Sequence, residues 1–194
     1  MKKHRMNLKH LDIDASWSLF LDRDGVINKK LPGDYVKNWG EFEFLPGVPE
    51  AIEQLTGIFG KLFVATNQQG IGKGIMTETE LDILHDQMMD EVRYAGGKID
   101  KIYYSPYREE EKSVFRKPNI GMARKAKIDF PVIEFNKSIM VGDSVSDMEF
   151  GKNAGMITVF ISPDNIIPEA VDPIADFIFP DLRSFANAVA GSNK

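Results

Sequence analysis

Cysteine is missing from all 194 residues, which excludes disulfides and thiolate metal centres and leaves a reducing compartment permitted. Long apolar runs are missing too. Nothing approaches the roughly 20 residues that cross a bilayer, and no apolar stretch of signal-peptide type follows the N-terminal lysines. A soluble, cytoplasmic protein with no membrane partner is therefore expected. The chain also lacks a basic excess: its formal net charge is -5, whereas binding a polyanion needs a concentrated basic face, so nucleic acid is not an expected partner.

With 43% hydrophobic and 27% charged residues, the chain suits one medium-sized core and neither disorder nor a charged tail. Residues 1–15, basic and then mixed, are expected to form a loosely held arm, and residues 16–194 a single domain without internal repeats or linkers. From Trp17 onward, short runs rich in Val, Ile and Phe alternate with segments of helical period. This predicts an α/β fold, a Rossmann-like doubly wound and mostly parallel sheet flanked by helices. The runs SLFLD, KLFVATN, KIYYS, SIMVGD, MITVFIS and ADFIF are nearly all apolar, as strands buried on both faces are. Between the second and third, Thr77 and Glu80 make a capping-box pattern, and Leu81, Leu84, Met88 and Val92 repeat at spacings of three and four. Further helices are expected over 48–58, 121–127, 145–153 and 182–189. The aperiodic stretches 28–45 and 106–119 follow the first and third strands, where open parallel sheets bind ligands, and would form a minimal cap of short loops.

Four polar clusters sit at the carboxyl ends of apolar strands. Asp22 and Asp24 follow the first; two carboxylates two residues apart there point the same way and repel unless a cation lies between them. A hard divalent ion with oxygen ligands, such as Mg2+, meets that need, although an isolated Asp-Gly pair is as often a solvated turn. Thr66, Asn67 and Gln68 follow the second strand and lead into a glycine-rich loop whose free N–H groups suit phosphate oxygens. Arg116 and Lys117 precede a helix and offer a planar fork and a point charge for anions. Asp143 and Asp147 follow the fourth strand. Asp143 would complete a carboxylate cage, and Asp147 would orient Lys117 or a metal-bound water; alone, this segment could be just a helix cap.

Together, DRDGVIN, ATNQ, RKP and GDSVSD resemble the four ordered motifs of the haloacid dehalogenase superfamily of phosphotransferases. Within it, LFLDRDGVIN, FEFLPGV, VATNQQGIGKG, RKPNIGM and GDSVSDM are similar to the D-glycero-D-manno-heptose 1,7-bisphosphate 7-phosphatases and the related histidinol phosphatases, over about residues 18–161. The resemblance implies an enzyme, a Mg2+-dependent phosphomonoester hydrolase. Asp22 would be its nucleophile, and Asp24 the acid that protonates the leaving oxygen and then activates water. Thr66 and Lys117 would stabilise the transferring group, with Mg2+ held by Asp22, Asp143 and the backbone carbonyl of Asp24. Relatives usually carry a zinc loop of cysteines and a histidine before the Arg-Lys-Pro segment. Here Ser105, Tyr107 and Phe115 stand near the ligand positions, so a zinc site is not expected, and the loop would be shaped by packing of Tyr104, Tyr107 and Phe115 or by substrate.

The expected substrate is a small phosphorylated metabolite, with the 7-phosphate of the heptose bisphosphate favoured. Asn28, Asp34, Tyr35, Asn67, Gln68 and Arg116 are the candidate substrate-binding residues, and Lys29 and Lys30 add charge for a second phosphate. The acidic run Glu109 to Glu111 instead suits the amine of histidinol phosphate, the alternative substrate, unless it is only a solvated loop. A non-catalytic phosphosugar-binding protein is the reading from a different class. A monomer or small homo-oligomer is expected.

Overall fold

The computed structural model describes residues 8–192. Six strands form one sheet in the order β3-β2-β1-β4-β5-β6: β1 (Ser18–Leu21), β2 (Lys61–Asn67), β3 (Lys101–Ser105), β4 (Ser138–Gly142), β5 (Ile157–Ile161) and β6 (Phe177–Phe179). Every pairing is parallel, so the sheet is wholly rather than mostly parallel. The chain runs outward from β1 through β2 to β3, then returns to lay β4 on the other side of β1. Such a reversal opens a crevice at the carboxyl ends of the strands, here those of β1 and β4.

Five helices cover the sheet: α1 (Val48–Thr56), α2 (Glu78–Tyr94), α3 (Gly121–Asp129), α4 (Val145–Ala154) and α5 (Leu182–Ser192). Side chains alternate across each strand. Leu19 and Leu21 thus enter one core with Ile52, Leu55, Met88 and Phe185 from α1, α2 and α5, while Phe20 faces Met122, Ala126 and Phe150 from α3 and α4. The expected capping box starts α2: Thr77 Oγ1 accepts from Glu80 N at 3.2 Å, and Glu80 Oε2 accepts from Thr77 N at 2.7 Å. Two N–H groups that helix geometry leaves unpaired are satisfied this way. The stripe Leu81, Leu84, Met88 and Val92 is buried as predicted, and His85 is buried among them.

Of the expected N-terminal arm, residues 1–7 lie outside the described residues. Within residues 8–15, Leu8 and Ile13 are buried in the core, and the turn over Leu8–His10 packs against α5. Their apolar side chains outweigh the surrounding charge. No helix among the described residues is long and apolar enough to cross a membrane.

Candidate active site

Backbone pairing brings the carboxylates together. Leu21 is in register with Val141, and Asp22 N donates to Val141 O at 2.9 Å, so Asp22 and Asp143 emerge side by side from adjacent strands. Two glycines make the close approach possible. A Cβ on Gly25, whose φ is +91°, would lie 2.2 Å from Asp143 Oδ2, and one on Gly142 would lie 2.2 Å from Asp147 Cβ.

Lys117 sits among these acids, almost fully buried. Its Nζ lies 2.9 Å from Asp22 Oδ1 and 2.5 Å from Asp147 Oδ1, and donates to Ala65 O at 2.6 Å. Burial opposes its charge, but Asp147 and then Asp22 hold its pKa up to about 12. Asp147 is wholly buried and serves two purposes. One oxygen meets Lys117, and the other accepts from Ser144 N at 3.0 Å and Ser144 Oγ at 2.5 Å, capping α4. The helix cap and the pairing with Lys117 are therefore made by the same side chain.

The cluster retains an excess of negative charge. Burial, then the charge of Asp147, pushes Asp22 well above the ordinary carboxylate range despite Lys117. Burial also raises Asp143, against the opposing charge of Lys30. Asp22, Asp143 and Asp147 offer carboxylate oxygens that all lie within 4.8 Å of one another. Asp143 Oδ1 is buried without a hydrogen-bond partner among the described residues. An all-oxygen donor set with surplus charge and an unpaired oxygen fits a hard divalent cation.

The Asp24 carboxyl is not in this cluster, so of its expected metal role only the backbone carbonyl remains. Its side chain accepts from Arg23 Nη2 at 3.0 and 3.1 Å, from Asn28 Nδ2 at 2.9 Å and from Gln68 Nε2 at 2.8 Å. Burial disfavours the charge, but Arg23, with the Asn28, Arg23 and Gln68 hydrogen bonds, outweighs it and holds the pKa below the usual range. Two expected substrate contacts are corrected here. Asn28 is buried and supports Asp24, and Gln68 is buried and bridges Asp24 to Thr66 Oγ1, the latter at 2.9 Å. Neither lines the cleft. An amide beside an aspartate at the end of a buried strand satisfies that carboxylate before it meets solvent.

Asn67 does line the cleft, yet its amide clamps the Lys117 backbone, accepting from Lys117 N at 3.0 Å and donating to Lys117 O at 3.2 Å. The cleft, about 470 Å³, is also lined by Asp22, Asp24, Thr66, Lys117 and Asp147, and by Asp34, Tyr35 and Arg116. Lys30 reaches it; Lys29 turns away to Glu43 at 3.2 Å. Lys73, whose anion-binding potential was not legible in a glycine-rich stretch, also lines it and donates to Tyr35 Oη at 2.8 Å.

Of the three aromatic residues expected to shape the segment in place of a zinc loop, only Tyr104 is packed, half-buried with its ring 6.1 Å from that of His85. Tyr107 and Phe115 are exposed. Polar bonds shape it instead: Gly72 N to Pro106 O at 3.1 Å, Arg116 Nη1 to Tyr107 O at 3.2 Å, Asn119 Nδ2 to Ser113 O at 3.0 Å and Gly121 N to Val114 O at 2.8 Å. Arg108 pairs with Glu110 at 3.3 Å and Glu111 at 3.5 Å, so most of the acidic run is already engaged.

Sequence reasoning missed Arg23 and His85. Arg23 is wholly buried, and its Nη1 lies 3.3 Å from His85 Nε2. Burial, then the charge of Arg23, lowers the His85 pKa to about 3, so the ring is neutral and accepts from the guanidinium. The available signal was a histidine on an otherwise apolar helix stripe.

Comparison with known proteins agrees with this geometry. A family model described as HAD-hydrolase-like matches residues 114–185. The chain is 36% identical over 173 residues to the D-glycero-alpha-D-manno-heptose-1,7-bisphosphate 7-phosphatase of Mycobacterium bovis, covering 89% of this chain and 91% of the relative. It is 34% identical over 186 residues to the D-glycero-beta-D-manno-heptose-1,7-bisphosphate 7-phosphatase of Escherichia coli, covering 91% and 95%. The solved structure of D,D-heptose 1,7-bisphosphate phosphatase from B. bronchiseptica, complexed with magnesium and phosphate, matches with a TM-score of 0.79 at 27% identity, covering 90% of this chain and 98% of that one. Fold and site thus define a phosphatase of the haloacid dehalogenase superfamily. Within that class, the chain belongs to the D-glycero-D-manno-heptose-1,7-bisphosphate 7-phosphatase family.

Proposed function

We propose that this protein removes the 7-phosphate of D-glycero-D-manno-heptose 1,7-bisphosphate by way of a phosphorylated Asp22. The observation that carries this reading is the placement of Asp22 Oδ1, 2.9 Å from Lys117 Nζ, in a cleft shared with Asp24 and Thr66. Relatives named for this substrate, over nearly their whole length, support it.

Asp22 and Asp143, with the carbonyl of Asp24, would hold Mg2+, which when bound offsets the repulsion between the acids and the incoming phosphate dianion. Asp22 Oδ attacks phosphorus, and the bond from phosphorus to the sugar oxygen breaks. Lys117 and the Thr66 hydroxyl face the equatorial oxygens as charge spreads over them. Asp24 is ionised in the free site, and the arriving dianion raises its proton affinity by like-charge repulsion. It takes up a proton from solvent as the substrate binds and gives that proton to the departing sugar oxygen. In the second displacement Asp24 takes a proton from water, whose oxygen attacks phosphorus and releases Asp22. Lys30, Lys73 and Arg116 line the same cleft and suit a second phosphate. Engagement of Glu110 and Glu111 by Arg108 weakens the case for the amine of histidinol phosphate.

The test assays both anomers of the bisphosphate and histidinol phosphate with and without Mg2+, on the parent and on Asp22→Asn. At least tenfold preference for a bisphosphate, lost without Mg2+ or with Asp22→Asn, is expected. A reversed preference overturns the substrate and keeps the chemistry. Equal, negligible turnover by parent and variant on every ester favours a binding protein.

A further inference from the structure

Among the described residues Arg23 is the largest fully buried side chain, and the two side chains it meets there are held by different terminal nitrogens of one guanidinium. Nη2 grips both oxygens of Asp24 at 3.0 and 3.1 Å, while Nη1 meets His85 Nε2 at 3.3 Å; Nε has no partner among the described residues. His85 comes from the middle of α2, remote in sequence, and touches neither the cleft nor any of its lining carboxylates.

A buried guanidinium with so few acceptors is set by those acceptors, because each unpaired N–H in an apolar surrounding is costly. Removing the imidazole would leave Nη1 and Nε both unpaired. The planar fork would then turn toward other oxygens, and the Asp24 carboxylate, left to Asn28 and Gln68 alone, would settle toward those amides. His85 is suited to this task because its ring is neutral, held that way by burial and by Arg23 itself. A protonated imidazole could not accept.

We infer that His85 is a positioning residue of the phosphatase reaction, acting through Arg23 to fix the carboxylate of Asp24 where it meets the leaving oxygen. The inference rests on the reaction proposed above. An error of about 1 Å in such a group costs on the order of a hundredfold, and general acid assistance supplies roughly 10²- to 10⁴-fold when the leaving group is a poor one. A leaving group that departs without a proton has no use for that assistance. The consequence of misplacing Asp24 therefore depends on the substrate, which a general loss of structure would not reproduce.

The experiment compares kcat/KM, which reports the steps up to leaving-group departure, for heptose 1,7-bisphosphate and p-nitrophenyl phosphate in the Mg2+-loaded protein. His85→Leu keeps apolar volume without an acceptor, His85→Asn carries an amide too short to reach, and His85→Gln returns an oxygen near the Nε2 position. Expected is at least a tenfold fall on the sugar phosphate but less than threefold on the nitrophenyl ester for His85→Leu and His85→Asn. His85→Gln should recover most of the difference. If His85→Leu does not fold by circular dichroism, the comparison of His85→Asn with His85→Gln decides. Equal losses on both esters, no loss, or no recovery with His85→Gln overturns the inference alone. A parent inactive on both esters overturns this inference and the proposed function together.

Discussion

Lys30 Nζ rests 2.9 Å from Oδ2 of Asp143, so an ammonium from the first loop stands against the carboxylate at the end of β4. The lysine comes from the segment after β1 and the aspartate from the segment after β4, on the two sides of the strand reversal. Lys30 is half exposed and Asp143 mostly buried. The pair places a removable positive charge beside the cluster that fits a divalent cation.

Lys30 therefore competes with that cation. Lys30→Ala should bind Mg2+ about two- to fivefold more tightly, as expected from losing a partly exposed ion pair worth roughly 0.5–1 kcal/mol. Isothermal titration of the substrate-free protein measures this. The same variant should show a raised KM for the bisphosphate, since Lys30 lines the cleft. Unchanged or weaker Mg2+ binding would show that Lys30 does not compete.

Asp147 is predicted to matter for stability as well as chemistry. Asp147→Ala removes one of two acids from buried Lys117 and the cap of α4 together. A loss of about 1–3 kcal/mol is expected from the buried donors of Ser144 and Lys117 that lose an acceptor, since Lys117 keeps Asp22 as a partner. Asp147→Asn can still accept from Ser144 and should recover about 1 kcal/mol of that loss, the usual contribution of a helix cap. Urea denaturation at neutral pH separates the two; equal midpoints would argue against the capping role.

The space between β1 and β4 permits no side chain at Gly25. Gly25→Ala puts a Cβ 2.2 Å from Asp143 Oδ2 at a φ of +91°. The variant should bind Mg2+ at least tenfold more weakly, and its thermal midpoint should fall, because both the carboxylate and the turn must shift. Titration calorimetry and a melting curve test the two effects independently.

His85 gives stability a pH dependence. Its pKa in the folded protein is lowered to about 3 from the ordinary 6.5, mainly by burial and then by Arg23, with Asp24 opposing. Between these values the unfolded chain binds a proton that the folded chain refuses, so stability is complete above pH 6.5 and declines as pH falls toward 3. The slope is about 1 kcal/mol per pH unit at pH 6 and approaches about 1.4 kcal/mol per unit near pH 5. His85→Gln has no such proton to take up, and its unfolding free energy should fall less between pH 7 and pH 5. Parallel curves for parent and variant would contradict this.

Strand ends and most of the cleft-lining residues were legible because their signals are local. An apolar run followed by Asp, as at SLFLD or SIMVGD, encodes both a buried strand and a carboxylate at its end, and the Thr77 and Glu80 box marks the start of α2 without reference to the rest of the molecule. The roles of Asn28 and Gln68 were not legible. Their amides could serve substrate or protein, and which one depends on whether Asp24 lies within reach. Tyr107 and Phe115 misled for a related reason: aromatic character predicts burial only where a neighbouring surface exists to cover it.

The order of elements, the parallel sheet and the four strand-end clusters were all determined by residues close together in the chain. Only the folded structure decided that Lys30 faces Asp143, that Asp147 joins the metal-fitting cluster in place of the Asp24 carboxyl, and that Arg23 links Asp24 to His85. The physical reason is range. Backbone preference and hydrophobic period act over a few residues, whereas a buried charge is satisfied by whichever partner the packing of distant segments brings within about 3 Å.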